Sequence, residues 1–340
     1  MIEIAPILNG NRLALARLLT QIENDTPAGR AALTELFPHT GQAHLIGVTG
    51  APGTGKSSLV NQLARHYRTS ADPKRVAVVA VDPSSPFTGG AVLGDRIRMT
   101  ELSGDPGVFI RSMATRGSLG GLARATAGIV QAFDAARYEI ILIETVGAGQ
   151  AEVDIARLAH TTLVVEAPGL GDEIQAIKAG ILEIADVLVI NKADRPGVEN
   201  TERALRGMLQ LAHPVPRVFR HHGRTEHVSK PLKPEASAPD THLWIPPIVR
   251  TIASEGTGIA ELAEAIAKHR EHLLKTGDFG RRERARLQNE LELRIQENLV
   301  NHWRAGMSNG FYDATLEKLV NRTISPEQAA KALLNKEEKT

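Results

Sequence analysis

Short apolar segments alternate with longer amphipathic segments through the middle of the chain. The short segments consist mostly of β-branched residues and leucine, without polar residues at alternate positions. This pattern is typical of strands that are buried on both faces of a parallel sheet. The helix-length segments between them predict an α/β fold, with a mainly parallel sheet flanked by helices. The predicted strands are LIGV (45–48), VAVVAV (76–81), VFI (108–110), IILI (140–143), TLVVE (162–166) and VLVI (187–190).

The two ends of the chain show helical periodicity instead. Apolar residues recur at helical spacing through residues 11–36, which predicts an N-terminal helical extension over 1–40. The predicted sheet domain follows over 41–275 and ends with a weak strand near Ile248 and a helix over 258–273. A C-terminal helical arm is predicted over 276–340, because 281–304 carries an apolar stripe between charged faces. The stripe consists of Leu287, Leu291, Ile295, Leu299 and Trp303.

The segment 213–243 breaks this rhythm and is rich in proline and histidine. Its composition predicts a surface insertion in the sheet domain. Imidazole suits Ni²⁺ or Zn²⁺, so metal-ion delivery is one alternative function. The irregular spacing and the lack of cysteine favour a solvated polar loop instead. The histidines are His213, His221, His222, His227 and His242.

Composition and charge narrow the functional classes. The 340 residues include 40 Lys plus Arg and 39 Asp plus Glu, and the net charge of +1 gives no basic field for general nucleic-acid binding. The absence of cysteine excludes disulfide scaffolds, cysteine-ligated metals and thiol nucleophiles. Neither an N-terminal leader pattern nor a long apolar segment is present, so we expect a cytoplasmic protein without a membrane span.

The segment after the first predicted strand carries the strongest chemical signal. Residues 50–57, GAPGTGKS, match the phosphate-loop pattern G-x-x-x-x-G-K-[ST] between a strand and a helix. Glycines let main-chain N–H groups face phosphate oxygens, and the helix N-terminus adds its positive dipole end. We assign Lys56 to the β and γ phosphates and Ser57 to Mg²⁺, which prefers oxygen ligands. The predicted nucleotide contacts here are Gly50, Ala51, Pro52, Gly53, Thr54, Gly55, Lys56, Ser57 and Ser58.

A second polar segment, NKAD, follows the predicted strand VLVI. In open α/β sheets, ligands bind at the carboxyl ends of the strands. Asp194 can accept hydrogen bonds from the ring N–H and the amino group of guanine, a donor pair that adenine lacks. We expect Asn191 to tie this loop to the phosphate loop and the Lys192 stem to cover the base. Ala253 is a candidate main-chain donor to the guanine carbonyl, although an ordinary helix cap is an equally simple role for its segment.

Two further predicted strands end in carboxylates, Asp82 and Glu144, on the side where the phosphate loop lies. Carboxylates there can hold the waters around Mg²⁺ or orient the attacking water, and helix capping is the alternative role. Asp95 ends a glycine-rich segment suited to a switch, and the N–H of Gly147 is a candidate contact to a γ phosphate. The predicted metal residues are Ser57, Asp82, Asp95 and Glu144, and the predicted catalytic residues are Lys56, Asp82, Asp95 and Glu144. Gln150, Arg116 and Asp95 are candidates for tuning the rate of hydrolysis.

Taken together, these segments resemble the MeaB family of P-loop GTPases, the G-protein chaperones of adenosylcobalamin-dependent methylmalonyl-CoA mutase. The resemblance covers about residues 10–200, whereas the segment 213–243 departs from the family pattern. The segments that carry it are GVTGAPGTGKSSLV, VAVDPSSPFTGGAVLGDRIRM, FIRSMATRGSLGGLA, ETVGAGQAEVD and APGLGDEIQAIKAGILEIADVLVINKAD.

The resemblance implies Mg²⁺-dependent GTP hydrolysis that gates cobalamin delivery to a mutase and protects or reactivates that mutase. It implies that Asp172, Gln175 and Lys178, together with Gln150, couple the nucleotide state to the mutase. The C-terminal arm resembles the family's dimerisation arm, which implies a homodimer, although a helix that covers its own domain is the alternative.

Several partners and one further function remain open at this stage. Methylmalonyl-CoA mutase is the expected partner, and isobutyryl-CoA and 2-hydroxyisobutyryl-CoA mutases are alternatives. The adenosyltransferase is a further candidate partner. An ATP-dependent transport-system kinase is a third hypothesis, because some relatives have carried that label, but Asn191 and Asp194 oppose it.

Overall fold

The computed structural model describes most of the chain, in two compact units that comprise Met1–Arg286 and Leu287–Thr340. The described residues are 2–83, 102, 104–115, 119–145, 157–169, 184–212, 218–221, 224–227, 243–307 and 309–334. Within these ranges, only the backbone is described for residues 82–83, 114–115, 119–123, 211–212, 218–221, 224–227 and 309.

A parallel sheet of seven strands forms the centre of the first unit, with the order β3-β2-β4-β1-β5-β6-β9. All six predicted strands and the predicted weak strand near Ile248 are present, so the predicted fold class is confirmed. The strands are β1 (His44–Thr49), β2 (Val76–Pro83), β3 (Val108–Thr115), β4 (Ile140–Thr145), β5 (Thr161–Glu166), β6 (Val187–Ile190), β7 (Val218–His221), β8 (Arg224–His227) and β9 (Ile248–Arg250), of which β7 and β8 form a separate ribbon.

Helices cover both faces of the sheet. On β4, Ile141 and Ile143 pack on one face, whereas Ile140 and Leu142 pack on the other. This alternation explains why the predicted strand segments have no polar residues at alternate positions, since both faces are buried. The helices are α1 (Ala5–Leu8), α2 (Arg12–Glu23), α3 (Pro27–Leu36), α4 (Lys56–Thr69), α5 (Leu119–Ala135), α6 (Val198–Ala212), α7 (Ile259–Thr276), α8 (Asp278–Gly306), α9 (Asn309–Val320) and α10 (Pro326–Leu334).

The N-terminal helices share the core on one face of the sheet. Leu15, Leu18 and Leu19 of α2 are almost fully buried in the same cluster as Phe133 of α5 and Ile141 of β4. Residues 1–40 therefore lie in the same compact unit as the sheet. The opposite face is covered by α4 and α7, whose apolar residues share a second cluster with β1 and β4.

The division between the two units falls within α8, later than the predicted boundary at residue 276. The physical reason is that the first turns of α8 bond to the sheet unit. Arg282 donates to Asp186, and Glu283 contacts His160. The second unit contains the rest of α8 together with α9 and α10. In that unit, the Trp303 indole donates to the carbonyl oxygen of Leu333 at 3.3 Å. No helix in the described ranges is long and apolar enough to cross a membrane.

The predicted insertion over 213–243 contains an antiparallel ribbon that the sequence analysis did not predict. Val218 pairs with His227, and His221 pairs with Arg224. Residues 222 and 223, which separate the two strands in the sequence, lie outside the described residues. The side chains of His221 and His227 are not described, and His213, His222 and His242 lie outside the described residues.

Candidate nucleotide-binding site

The phosphate loop connects the carboxyl end of β1 to the first turn of α4, as predicted. Gly50 has φ 137°, and a Cβ atom there would lie 2.1 Å from the carbonyl oxygen of Val165. Gly55 has φ 92°, and a Cβ atom there would lie 2.5 Å from Nδ2 of Asn191. Both positions therefore require glycine, because of the left-handed backbone and because neighbouring atoms approach closely.

Lys56 is held above this loop by main-chain oxygens. Its Nζ donates to the carbonyl oxygens of Gly50 at 2.7 Å and Ala51 at 3.0 Å, and the residue is 5% exposed. The Thr54 hydroxyl donates to Ala51 O at 3.0 Å and stabilises the same turn. The ammonium group thus lies at the N-terminus of α4, where main-chain amides and the helix dipole also favour anions.

Ser57 and Glu144 connect the start of α4 to the end of β4. The Ser57 hydroxyl donates to Oε1 of Glu144 at 2.6 Å, and Glu144 is 4% exposed. Strand pairing places Glu144 beside Val48, close to the loop. Because the Ser57 proton is directed to the carboxylate, the lone pairs of the hydroxyl oxygen remain available to a cation. This pair of hard oxygen donors fits Mg²⁺, the metal that such sites use with a nucleotide.

Asn191 joins three segments at the carboxyl edge of the sheet. Its Nδ2 donates to Thr54 O at 2.8 Å, and its Oδ1 accepts from the Thr251 hydroxyl at 3.2 Å and from Ala253 N at 3.0 Å. Its main-chain N–H donates to Glu166 O at 2.8 Å. The predicted link between the base loop and the phosphate loop is therefore present in the structure, and it extends to the segment after β9.

The residues after Asn191 are placed beside the phosphate loop. Lys192 has φ 57°, and its Nζ donates to Gly53 O at 2.5 Å. Asp194 is exposed on the loop that follows β6. The N–H of Ala253 is already used by Asn191, so a contact from Ala253 to guanine requires this hydrogen bond to be shared or exchanged. The role of Ala253 in base recognition stays a prediction.

The remaining predicted site residues differ in how far the structure describes them. Asp82 lies at the carboxyl end of β2, where its backbone pairs with Ala114, and its side chain is not described. Ser58 is described and is exposed on α4, beside Ser57. The residues outside the described ranges are Asp95, Arg116, Gly147, Gln150, Asp172, Gln175 and Lys178.

Thr251 is a structural residue of the site whose side chain the sequence analysis did not use. It is fully buried, its N–H donates to Ile190 O at 2.9 Å, and its hydroxyl holds the amide of Asn191. A polar β-branched residue immediately after a strand at the ligand edge is the signal that could have identified it. No group of three or more His, Asp or Glu side chains suited to a metal ion occurs among the described residues.

The fold and this site define a P-loop nucleotide-binding protein with the base loop of a GTPase. The family model described as methylmalonyl-CoA mutase-associated GTPase MeaB matches residues 15–308. The chain belongs to this family and is a GTPase, as the resemblance implied.

Relatives agree with this assignment over most of the chain. A relative from Pyrococcus abyssi is 42% identical over 325 residues, which cover 96% of this chain and 93% of the relative. The mouse protein named methylmalonic aciduria type A homolog, mitochondrial, is 33% identical over 292 residues, which cover 85% of this chain and 64% of the mouse protein. The crystal structure of a LAO/AO transport system kinase matches with a TM-score of 0.67 and 25% sequence identity. The matched region covers 99% of this chain and 96% of the kinase chain.

Proposed function

We propose that this GTPase hydrolyses Mg²⁺-bound GTP and acts as a chaperone of an adenosylcobalamin-dependent acyl-CoA mutase. In this role it gates delivery of the cobalamin cofactor to the mutase, and it protects or reactivates the mutase. The observation that carries the proposal is the family match over 15–308, whose description names the mutase association. The name of the mouse relative supports the same direction. The mutase of the methylmalonyl-CoA type is the first candidate partner.

The phosphate half of the site supports triphosphate binding. Main-chain amides of residues 50–57, the N-terminus of α4 and Lys56 provide positive potential for the phosphates. Ser57 and Glu144, with Asp82 and Asp95 as further candidates, would hold Mg²⁺, which neutralises phosphate charge when it is bound. Glu144 orients the Ser57 hydroxyl, so that its lone pairs face away from the carboxylate.

Asp194 is the proposed guanine reader. Asn191 and Lys192 bond the base loop to Thr54 and Gly53, which keeps Asp194 at a constant distance from the phosphate loop. A carboxylate in this place binds the paired donors of guanine and is left unpaired beside adenine. The arrangement therefore favours GTP over ATP, which distinguishes this function from the kinase alternative.

The exchange Asp194→Asn tests base recognition and provides a tool for the partner experiment. We expect kcat/KM for GTP to fall by at least about a hundredfold and xanthosine triphosphate, with a carbonyl in place of the amino group, to become the better substrate. Asp72→Asn, at an exposed carboxylate remote from the loops, is the control and should leave the preference for GTP unchanged. Equal hydrolysis of ATP and GTP by the unchanged protein would contradict the assignment.

The mutase proposal is tested by nucleotide-dependent association of the purified proteins. The unchanged chain should bind a methylmalonyl-CoA-type mutase differently with a non-hydrolysable GTP analogue and with GDP. In the Asp194→Asn variant, xanthosine nucleotides should control the association, and guanosine nucleotides should not. Association with none of the acyl-CoA mutases in any nucleotide state would overturn the partner proposal and leave the GTPase assignment intact.

The second unit supports the proposal of a homodimer. Leu291 and Leu299 of α8 are 58% and 64% exposed, and both belong to the apolar stripe of the predicted arm. A second copy of the chain would remove this surface from water. Light scattering should report monomers for Leu291→Glu combined with Leu299→Glu, and an unchanged dimer for Leu13→Glu, a 61% exposed leucine on α2. Dimers in the double variant would contradict this proposal.

A further inference from the structure

The side-chain oxygen of Asn191, at the carboxyl edge of the sheet, accepts hydrogen bonds from two donors. Oδ1 accepts from the Thr251 hydroxyl at 3.2 Å and from the main-chain N–H of Ala253 at 3.0 Å. At the other side of the amide, Nδ2 donates to Thr54 O at 2.8 Å. Because Nδ2 can only donate and Oδ1 can only accept, these contacts fix the orientation of the amide. The Thr251 hydroxyl is therefore the donor in its bond to Asn191.

This acceptor is shielded from solvent. Asn191 is 2% exposed, Ala253 is 4% exposed and Thr251 is fully buried. A buried carbonyl oxygen that loses its hydrogen-bond donors is destabilised, because no water replaces them. One of the two donors to Oδ1 can therefore move to another acceptor without this cost only while the other donor stays in place.

The main chain at Thr251 is held by bonds that do not involve its hydroxyl. Its N–H donates to Ile190 O at 2.9 Å, and its carbonyl oxygen accepts from Ala193 N at 3.0 Å. The segment that follows turns back on itself, and Ile252 N donates to Thr257 O at 3.0 Å. These main-chain bonds fix the course of the backbone. The hydroxyl of Thr251 is thus left to act on the amide of Asn191 alone.

The two donors belong to a segment that is bonded to the base loop. Ala193, whose N–H donates to Thr251 O, directly precedes Asp194, the proposed guanine reader. A carboxylate binds the ring N–H and the amino group of guanine, and the neighbouring carbonyl oxygen of the base then needs a donor of its own. The N–H of Ala253 is the candidate for this donor, but Asn191 already uses it. Guanine binding through Ala253 therefore requires an exchange of hydrogen bonds.

We propose that Thr251 is a positioning residue for guanine recognition, because its hydroxyl keeps Oδ1 of Asn191 bonded while the N–H of Ala253 transfers to the carbonyl oxygen of guanine. The inference rests on the proposed recognition of guanine by Asp194. In a protein without this hydroxyl, the same transfer would leave the buried Oδ1 without a donor. The N–H of Ala253 would then stay with Asn191, and the guanine carbonyl would remain unpaired.

Binding of GDP and 6-thio-GDP to the full chain, measured by calorimetry, tests this exchange. The analogue keeps the N–H and the amino group that face Asp194, and it replaces only the carbonyl oxygen with sulfur, a weak acceptor. We expect the unchanged protein to bind GDP about tenfold more tightly than 6-thio-GDP. Thr251→Val keeps the branched shape and removes the hydroxyl. It should weaken GDP binding about tenfold and leave 6-thio-GDP binding nearly unchanged, so that the ratio of the two Kd values falls to about one.

The ratio of the two Kd values separates the exchange from a purely structural role. A loosened base loop would weaken both nucleotides equally and leave the ratio unchanged. Thr251→Ser retains the hydroxyl and should keep the ratio of the unchanged protein. Thr201→Val is the matched control, since Thr201 is 4% exposed on α6 and its hydroxyl donates to Gly197 O at 3.3 Å. The kcat for GTP should be the same in all of these proteins, because the phosphate-loop contacts are not changed.

Three results would overturn the proposal. They are equal affinity of the unchanged protein for GDP and 6-thio-GDP, equal weakening of both by Thr251→Val, and a ratio of about one in Thr251→Ser. If Thr251→Val fails to fold, Thr251→Ala replaces it with the same expected ratio. Failure of Asp194→Asn to change the base preference would contradict guanine recognition itself. A changed preference in Asp194→Asn, together with a constant ratio in Thr251→Val, would refute only the role of Thr251.

Discussion

The two edges of the central sheet differ in the partners of their polar and charged side chains. At the carboxyl edge, contacts run mainly through the backbone, as in the bonds from Lys56 to Gly50 O and from Asn191 to Thr54 O. At the amino edge, side chains pair with one another, as in the bonds from Arg282 to Asp186. The first arrangement positions donors and a cation for an anionic ligand. The second arrangement neutralises its charges within the chain.

This difference shows how one sheet can separate ligand binding from structural support. Strand order brings β1 and β5 together. β1 runs into the phosphate loop and Val165 of β5 lies beside Gly50, whereas both strands begin at a buried polar cluster, the amino-edge cluster, which comprises His44, His160, Thr161, Asp186 and His269. Substitutions at the carboxyl edge should therefore affect activity more than stability. Substitutions at the amino edge should have the reverse effect.

The largest expected effect follows from Lys56→Ala at the carboxyl edge. Loss of a preorganised cation at the phosphates should reduce kcat for GTP by about a thousandfold. Phosphate release measures this change, and urea unfolding should show a much smaller effect. Arg65→Ala, at an exposed residue on the same helix, is the matched control and should retain activity. Comparable activity in Lys56→Ala would remove the assigned role of the lysine.

The exchange Asp186→Asn at the amino edge should act on stability. Burial alone would raise the pKa of Asp186, but the contacts from His269 and Arg282 outweigh burial and hold the pKa below its usual value. Removal of this charge leaves Arg282 without its carboxylate partner, which should cost about 3 kcal/mol of unfolding free energy. Urea unfolding of this variant is compared with Asp72→Asn, whose carboxylate is 83% exposed. Equal stability of the two variants would contradict the contrast between the edges.

The smallest effect is the pH dependence of global stability. His44 and His160 have lowered pKa values in the folded state, so the unfolded chain binds their protons first as the pH falls below about 6.5. Stability should decrease by up to about 1 kcal/mol per histidine between pH 6.5 and 5.5. Burial would raise the pKa of Glu283, but its bonds with His160 and Arg286 lower it to about 2, so its stabilising contribution is lost only at more acidic pH.

Urea unfolding at pH 7.5, 6.5 and 5.5 measures this slope. The double variant His44→Asn, His160→Gln should flatten it, because neither amide is protonated in this range. The exposed variant His39→Gln should keep the slope of the unchanged protein. An identical slope in the double variant would show that other groups take up the protons.

The features that could be predicted from sequence are those with a local signal. The buried strands and the loop 50–57 are continuous segments, and Asn191 follows directly from the end of its strand. The bond from Thr251 to Asn191 could not be predicted, because it depends on the pairing of β6 with the short strand β9. Residue pairs that are distant in sequence become visible only after the sheet has formed.

The amino-edge cluster shows the same limit more clearly. His44, His160, Asp186 and His269 come from four separate segments, and each alone is indistinguishable from an ordinary core or surface polar residue. The ribbon of β7 and β8 was missed for a different reason. Its strands are only four residues long and lie among prolines and histidines, which are typical of loops.

Asn191 also constrains how this protein can evolve. One side-chain amide bridges Thr54 of the phosphate loop to Thr251 and Ala253 of the segment after β9, so a shift in the base loop or in either of these two segments is transmitted to the other two. Mutations in them should be epistatic, with fitness effects that depend on the residues at the other two sites. A lineage that changes its nucleotide preference is therefore expected to acquire coordinated replacements in these loops.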